Sequence, residues 1–280
     1  MPFICGIARP KERFGSAFWF AFSSERLLVR CSDSGAEVPL LGENLTDLGL
    51  RPVRTQFLGL LDEAPCFSAE LPNDVEPPEG WAFQGLRRLF GVLGEDVFGV
   101  AVRAKQIVFW DRTHQYCGQC GAPTQDVEHE RAKLCPRCSI SSFPRLSPAV
   151  IVAVTRGEEL LLARAQRFPE GFYSVLAGYV EPGETLEECV AREVREEVGI
   201  EIRNIRYFGS QSWPFPHSLM VAFTAEHASG ELKPDPAEIA DAGWFRREDL
   251  PWIPEKISIA RRLIDWFVES GGCSGPRRMG

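Results

Sequence analysis

Three glutamates carry the strongest chemical signal in this 280-residue chain. Glu193, Glu196 and Glu197 stand at i, i+3 and i+4 within residues 178–200 (GYVEPGETLEECVAREVREEVGI), so on a helix all three project from one face. Like charges at that spacing destabilise a bare helix, and this stretch holds seven acids against two bases. Hard divalent cations bound by oxygen relieve the repulsion, with Mg²⁺ or Mn²⁺ the natural choice. Such ions bridging a diphosphate would neutralise it, activate a water and stabilise the departing phosphate. Arg192 can hold a neighbouring carboxylate by a charge-assisted contact. The competing reading is a merely solvated acidic face.

Four cysteines supply a second centre. Cys117 and Cys120 (CGQC) and Cys135 and Cys138 (CPRC) form two CxxC pairs with 14 residues between them. Each turn aims two thiolates at one point, and a hairpin between the pairs brings all four sulfurs into a closed tetrahedral Zn²⁺ site. No position remains for water, so the zinc is structural. Gly118 and Gly121 suit the tight turns. A redox dithiol would need one pair only. His114 and His129 read as surface residues, and Cys5, Cys31, Cys66, Cys189 and Cys273 as scattered buried or incidental side chains. Such a ribbon suits a nucleic-acid module or a scaffold between domains. Five basic against four acidic residues over 111–146 give the nucleic-acid module only slight support, and the scaffold is the preferred reading.

A third group offers recognition rather than catalysis. Residues 210–218 (SQSWPFPHS) begin ten positions after Ile200. Pro214 and Pro216 fix φ and remove donors, which predicts a stiff loop. Trp213 and Phe215 present flat faces for stacking a base, and Gln211, Ser212 and Ser218 offer hydrogen bonds. The alternative is an aromatic loop that plugs a core.

Elements must position these groups. Thr185, with Glu188 three residues on, predicts a capping box that starts a helix over 185–198. Residues 149–155 (AVIVAVT) and 160–163 flank RGEE and read as a hairpin. Strand-like runs follow at 202–208 and 218–225. A helix over 255–269 puts Ile259, Leu263, Trp266 and Phe267 on one core face. Upstream, apolar runs (LLVRC, QFLGLL, DVFGVAVRA) alternate with turn-rich stretches and read as strands and turns. Leu86, Leu89, Phe90 and Leu93 give residues 81–93 a helical spacing, and 99–111 suits helix or strand. The organisation expected is an N-terminal α+β domain over 1–110, a zinc ribbon over 111–146, a catalytic domain over 147–270 and a flexible tail over 271–280.

Composition bounds the partners. The chain is 44% hydrophobic with 39 acidic and 31 basic residues, net −8, which excludes disordered and collagen-like classes. Long-range repulsion argues against a general polyanion binder, and a phosphate substrate would need a bridging cation. No run approaches the 18 apolar residues of a membrane span. Residues 14–24, preceded by Lys11 and Arg13, faintly resemble a signal peptide; Glu12 and the lack of a cleavage site favour a buried strand. An odd cysteine count, with four claimed by metal, points to a reducing, cytoplasmic setting.

Residues 178–200 closely resemble the signature of the Nudix hydrolases, GX5EX7REUXEEXGU with U aliphatic. Gly178, Glu184, Arg192, Glu193, Val194, Glu196, Glu197, Gly199 and Ile200 match every fixed position. The resemblance implies an α/β class fold, a Nudix α/β/α sandwich on a mixed sheet, and metal-dependent hydrolysis of a nucleoside diphosphate linked to another moiety. It implies that Glu193, Glu197 and the backbone carbonyl of Ala177 bind the metal, and that Glu196 or Glu197 helps to deprotonate water. Residues 210–218 resemble SQPWPFPxS, the array of the NADH pyrophosphatase branch, which also carries a zinc ribbon upstream. Ser212 replaces a proline of that array, which would loosen it.

By that resemblance the substrate-binding set is Gln211, Ser212, Trp213, Pro214, Phe215, Pro216, His217 and Ser218. Further local patterns add Glu238 as a metal ligand, Ala260 as a backbone contact, Phe143 in place of a stacking Tyr, Glu130, and Arg88 in GLRRLF. The implied activity is cleavage of NAD(H) to NMN(H) and AMP, with removal of NAD caps from RNA, by a homodimer using Mg²⁺ or Mn²⁺ beside structural Zn²⁺. The alternatives are a Nudix pyrophosphatase for another dinucleotide or ADP-ribose, and a catalytically silent nucleotide-binding adaptor. Residues 178–200 contribute −5 of the net charge of −8, so the acidity of the chain is largely that of one metal site.

Overall fold

The computed structural model describes residues 3–8, 15–32, 35–38, 40–41 and 45–270. The tail expected over 271–280 and the charged residues 11–13 lie outside the described residues. The chain divides into two compact units: Met1–Arg145 with Pro214–Pro216, and Leu146–Trp213 with His217–Gly280.

In the first unit, strands β1 (Ile4–Cys5), β2 (Ala17–Ser23), β3 (Arg26–Ser32), β4 (Gly35–Glu37), β5 (Leu40–Leu41), β6 (Arg54–Leu61), β7 (Ala64–Leu71) and β8 (Trp81–Gly85) form one sheet. Its order is β1-β6-β7-β2-β3-β4, with β5 on β2 and β8 on β3, and the β2–β7 pair is parallel. Within the uncharged stretch with the faint signal-peptide character, residues 17–23 form β2, a largely buried strand. Residues 81–93 split into β8 and a single turn of helix, α1 (Leu86–Leu89), against the helix expected from spacing. Pairing of Trp81–Gly85 with β3 overrides that local periodicity. Residues 95–113, whose first part (DVFGVAVRA) reads as strand, form instead the 19-residue helix α2 (Glu95–Thr113), so of the two readings open for 99–111 the helix is the one found. Val100, Ala101, Ala104, Ile107 and Val108 are buried at helical spacing against the sheet. The β-branched content hid a helix that opens with Glu95 and Asp96 in its first turn.

The ribbon follows as β9 (Gln125–Asp126), β10 (Lys133–Leu134) and β11 (Ser141–Ser142), in the order β11-β10-β9. Lys133, buried, bridges Asp111 at the end of α2 and Asp126 of β9, each at 2.8 Å. Gln56 and Gln115 donate to the same Asp111 carboxylate, so this buried charge is fully partnered.

The second unit is an α/β/α sandwich. Its strands are β12 (Ser147–Arg156), β13 (Glu159–Ala165), β14 (Leu176–Tyr179), β15 (Glu201–Trp213), β16 (Ser218–Ser229) and β17 (Ile239–Arg246), and its helices α3 (Leu186–Val198) and α4 (Ile259–Ser270). The sheet order is β15-β16-β12-β13-β17 with β14 on β12; β12–β16 is parallel and the other pairs are antiparallel. The run AVIVAVT is continuously apolar because both faces of β12 are covered. Val150, Val152 and Val154 pack with Val190, Val194 and Val198 of α3, while Ile151 and Ala153 pack with Leu263, Ile264 and Phe267 of α4. The hairpin expected around Gly157 is present, and α3 begins where the capping box places it. Helix α4 starts at Ile259 rather than at 255.

Candidate active site and zinc centre

Helix α3 is built to hold charge on one side and apolar bulk on the other. Thr185 Oγ1 accepts from the Glu188 N–H at 3.2 Å, and Glu188 accepts from the Thr185 N–H at 2.8 Å. Gly199 ends the helix at φ 74°, a left-handed cap that suits glycine. Val190, Val194 and Val198 are buried between these caps. Glu193, Glu196 and Glu197 therefore face a cleft of about 620 Å³.

Arg192 organises that face. Its guanidinium clasps both oxygens of Glu184, donates to Glu193 at 2.9 Å and Glu196 at 2.8 Å, and donates to the Tyr179 carbonyl at 3.0 Å. These bonds draw the Glu184 carboxyl down to about 2, helped by the Glu181 backbone N–H, and raise the Arg192 pKa well above its ordinary value. Opposite lies Gly178 on β14. A Cβ there would fall 1.8 Å from Cδ of Glu193, so only glycine lets this carboxylate lie against the strand.

Glu197 is in the opposite situation. It is 9% exposed, its Oε2 has no hydrogen-bond partner, and burial with the charges of Glu193 and Glu238 pushes its carboxyl up to about 8. Burial also raises Glu193, against the pull of Arg192. An orphaned, buried oxygen beside two further carboxylates is the donor set of a hard divalent cation, so these residues fit one. Glu238 arrives from the segment before β17. Lys233 N and Asp235 N donate to the carbonyls of Val198 and Glu197 at 2.9 Å each, and Gln166 N donates to the Glu238 carbonyl at 2.8 Å.

The cleft thus gathers Ala177, Arg192, Glu193, Glu196, Glu197 and Glu238. It also contains Arg167, Phe168, Tyr179, Glu181 and Asp235, which sequence reasoning missed. Glu181 and Tyr179 lie inside the acidic stretch and were within its reach. Arg167 and Asp235 carry no spacing signal. The three carboxylates do not close on a single point. Among the described residues only the four cysteines bring three or more ligand atoms within 4.8 Å of one another.

The remaining expected residues lie elsewhere. Residues 210–213 belong to β15 rather than to a loop: Gln211 pairs with Met220 and Trp213 with Ser218. Only 214–217 turn, because the strand continues as far as β16 offers partners. The Gln211 amide is taken up by α4, donating to the Ile257 carbonyl and accepting from the Ile259 N–H at 2.7 Å each. Both ends of that amide are therefore engaged within the chain's own second unit. Ser218 meets the Tyr179 hydroxyl at 3.1 Å, and His217 meets Ser147 at 3.1 Å.

Ser212 is exposed, Pro214 is buried, and Ala260 is packed in the core beside Leu263. In the first unit, Phe215 lies under Arg87 and Lys105, each 4.4 Å from its ring centroid. Phe215, Pro216 and Arg88 line a separate cavity of about 830 Å³ there. Glu130 and Phe143 are exposed side chains on or beside the ribbon.

The four thiols do converge. Cys117 lies 3.5 Å from Cys138, Cys120 lies 3.5 Å from Cys135, and Cys120 lies 3.8 Å from Cys138, sulfur to sulfur. A tetrahedron with Zn–S bonds of about 2.3 Å has edges of about 3.8 Å, so zinc fits. Each pair sits in the same backbone knuckle. Cys117 N donates to Ala122 and Cys135 N to Ile140, with Gly121 and Ser139 at positive φ. Gly121 plays its expected part in the turn; Gly118 is not among the residues at positive φ. Backbone N–H groups, that of Cys138 foremost, draw the Cys135 thiol down to about 6, toward the thiolate that a metal needs. His114 is half-buried with Nδ1 2.9 Å from the Trp110 carbonyl, and His129 is exposed.

Comparison with known proteins agrees with this anatomy. A NUDIX domain model matches residues 145–267, an NADH pyrophosphatase-like rudimentary NUDIX domain matches 16–110, and an NADH pyrophosphatase zinc ribbon domain matches 112–143. The chain is 50% identical over 232 residues to a protein of Stutzerimonas stutzeri named NAD-capped RNA hydrolase NudC, covering 83% of this chain and 79% of that protein. Proteins of the same name from Pseudomonas entomophila and Pseudomonas aeruginosa PAO1 are 52% identical over 211 residues and 51% identical over 233. They cover 75% and 83% of this chain, and 76% and 79% of their own lengths. With every fixed position of the signature present and relatives of this identity along most of its length, the chain belongs to the Nudix hydrolase family, in its NADH pyrophosphatase-like branch.

Proposed function

We propose that this chain hydrolyses the pyrophosphate bond of NAD(H) to NMN(H) and AMP, and removes NAD caps from RNA 5′ ends. The observation that carries the reading is Glu197, buried with an unpartnered oxygen between Glu193 and Glu238 in the cleft. Glu193, Glu197, Glu238 and the Ala177 backbone would hold Mg²⁺ or Mn²⁺, which when bound supplies charge neutralisation and a more acidic water. Arg192 donates to Glu193 and Glu196 and orients both carboxylates. Glu196, the most exposed of the three helix carboxylates, is the group left to take the proton from water. The four cysteines would hold a structural zinc.

The family resemblance also supports a homodimer and a cytoplasmic location. Light scattering after size exclusion tests the dimer. No described helix is long and apolar enough to cross a membrane.

Metal-loaded protein incubated with an equimolar mixture of NADH, NAD⁺, ADP-ribose and NAD-capped RNA, followed by product mass, tests the activity. NMNH and AMP are the expected products, abolished in Glu197→Gln. Intact NADH would refute the reading, and a preference for ADP-ribose would favour the alternative suggested by Ser212.

A further inference from the structure

The cleft is lined by two basic residues, Arg192 and Arg167, and they differ in availability. Arg192 already donates to three carboxylates and one carbonyl. Arg167 is exposed and forms no ion pair among the described residues; its guanidinium carbon lies 5.2 Å from the ring centroid of Phe168. Its placement is nonetheless fixed. Phe168 N donates to the Ala165 carbonyl at 2.9 Å, closing a turn around it. Gln166, its neighbour, is tied to the metal-site segment twice, through N to the Glu238 carbonyl at 2.8 Å and through Nε2 to the Pro236 carbonyl at 3.0 Å. The turn therefore holds Arg167 beside the Glu238 segment, and its charge is felt at Glu197.

We infer that Arg167 grips a non-bridging oxygen of the substrate diphosphate in this cleft. This rests on the reading of the chain as a pyrophosphate hydrolase. A diphosphate entering here meets six acidic side chains on α3 and the adjoining loops, Glu181, Glu193, Glu196, Glu197, Asp235 and Glu238. Cations must outnumber them locally, and a guanidinium with unengaged N–H donors matches a phosphate fork while leaving the metal positions to carboxylates. Hydrolysis adds one water across the P–O–P bridge and leaves two monophosphates bearing more negative charge than the diphosphate, so the same contact strengthens as the bond breaks.

Arg167→Ala and Arg167→Lys are compared with wild type in two measurements. Steady-state hydrolysis of NADH is expected to lose roughly ten- to hundred-fold in kcat/KM in Arg167→Ala, with Arg167→Lys recovering part of it. Titration of Mn²⁺-loaded protein with imidodiphosphate, which needs no turnover, is expected to weaken by a similar factor. Mn²⁺ affinity itself, read by electron paramagnetic resonance, should stay equal or tighten in Arg167→Ala, because a repelling cation has been removed. Unchanged imidodiphosphate binding overturns the inference, as does weakened Mn²⁺ binding, which would mark a merely structural role. A wild-type protein that leaves NADH intact refutes the proposed function instead, and the imidodiphosphate titration then decides about Arg167 alone.

Discussion

Replacing Gly178 by alanine should separate folding from catalysis. The added methyl would lie 1.8 Å from Cδ of Glu193 and 2.1 Å from each of its carboxylate oxygens. Carbon atoms in contact prefer about 3.5–4.0 Å, so the carboxylate must retreat by more than about 1.5 Å. The obstacle is the end of a rotatable side chain, not backbone, and Gly178 is not among the glycines at positive φ, so the strand itself accepts alanine. The fold should survive, with Tm lowered by a few degrees at most, about 1 kcal/mol in a unit of this size. Catalysis should not survive. A displacement of about 1 Å at a reacting site costs on the order of 100-fold, and here the displaced group is a carboxylate proposed to bind the metal, which also leaves the Arg192 Nη1 bond. The assay is NADH hydrolysis at saturating Mn²⁺, with a parallel Mn²⁺ titration and a thermal melt. Gly178→Ala retaining activity within threefold of wild type, while Glu193→Gln is inactive, would refute the reasoning. A drop in Tm beyond about 10 °C would show instead that the backbone, not the side chain, absorbs the clash.

Three other perturbations follow from the same geometry. In metal-free protein Glu197 holds its proton up to about pH 8, whereas an unfolded chain releases it near 4.3. Between those values the folded state binds more protons, so stability should fall as pH rises, by a few kcal/mol in total. Glu193 adds in the same sense. Glu197→Gln should flatten that slope and melt higher than wild type at pH 8 without added divalent metal; parallel pH profiles of the two proteins would contradict this.

Zinc content should be one ion per chain, and Cys135→Ser should lose it and expose the ribbon to trypsin near Arg131 and Lys133. Retention of a full equivalent of zinc would rule out the four-thiolate site. Gln211→Leu removes two bonds of 2.7 Å that fix the start of α4. It should cost roughly 1–3 kcal/mol of stability and leave KM for NADH unchanged; a raised KM at unchanged Tm would mark Gln211 as a substrate contact instead.

Much of the site was legible because its information is local. Glu193, Glu196 and Glu197 share a helix face by spacing alone, Thr185 and Glu188 cap that helix across one turn, and two CxxC knuckles each close within a few residues. The errors share a cause as well. The helical spacing at 81–93 lost to pairing with β3, and the β-branched run within 95–113 joined a helix because the sheet offered it a face to cover. The prolines at 214 and 216 correctly marked a turn, yet 210–213 became strand because β16 supplied partners across the hairpin.

What the sequence by itself determined is the chemistry: a metal-dependent acidic helix, a four-cysteine centre, and the family to which that acidic stretch points. Periodicity and short spacings suffice for this, since one helical turn or one knuckle needs nothing from the rest of the chain. Only the tertiary structure decided which groups share the cleft. Glu238 reaches Glu197 because the 233–235 backbone hydrogen-bonds to the end of α3, and Arg167 stands beside it because Gln166 pairs with that same segment. It also decided that Arg192 is wholly engaged and that Glu197 is left with an unpartnered oxygen. Contacts between residues 35 to 72 positions apart depend on how strands register and helices pack, and no local pattern records the result.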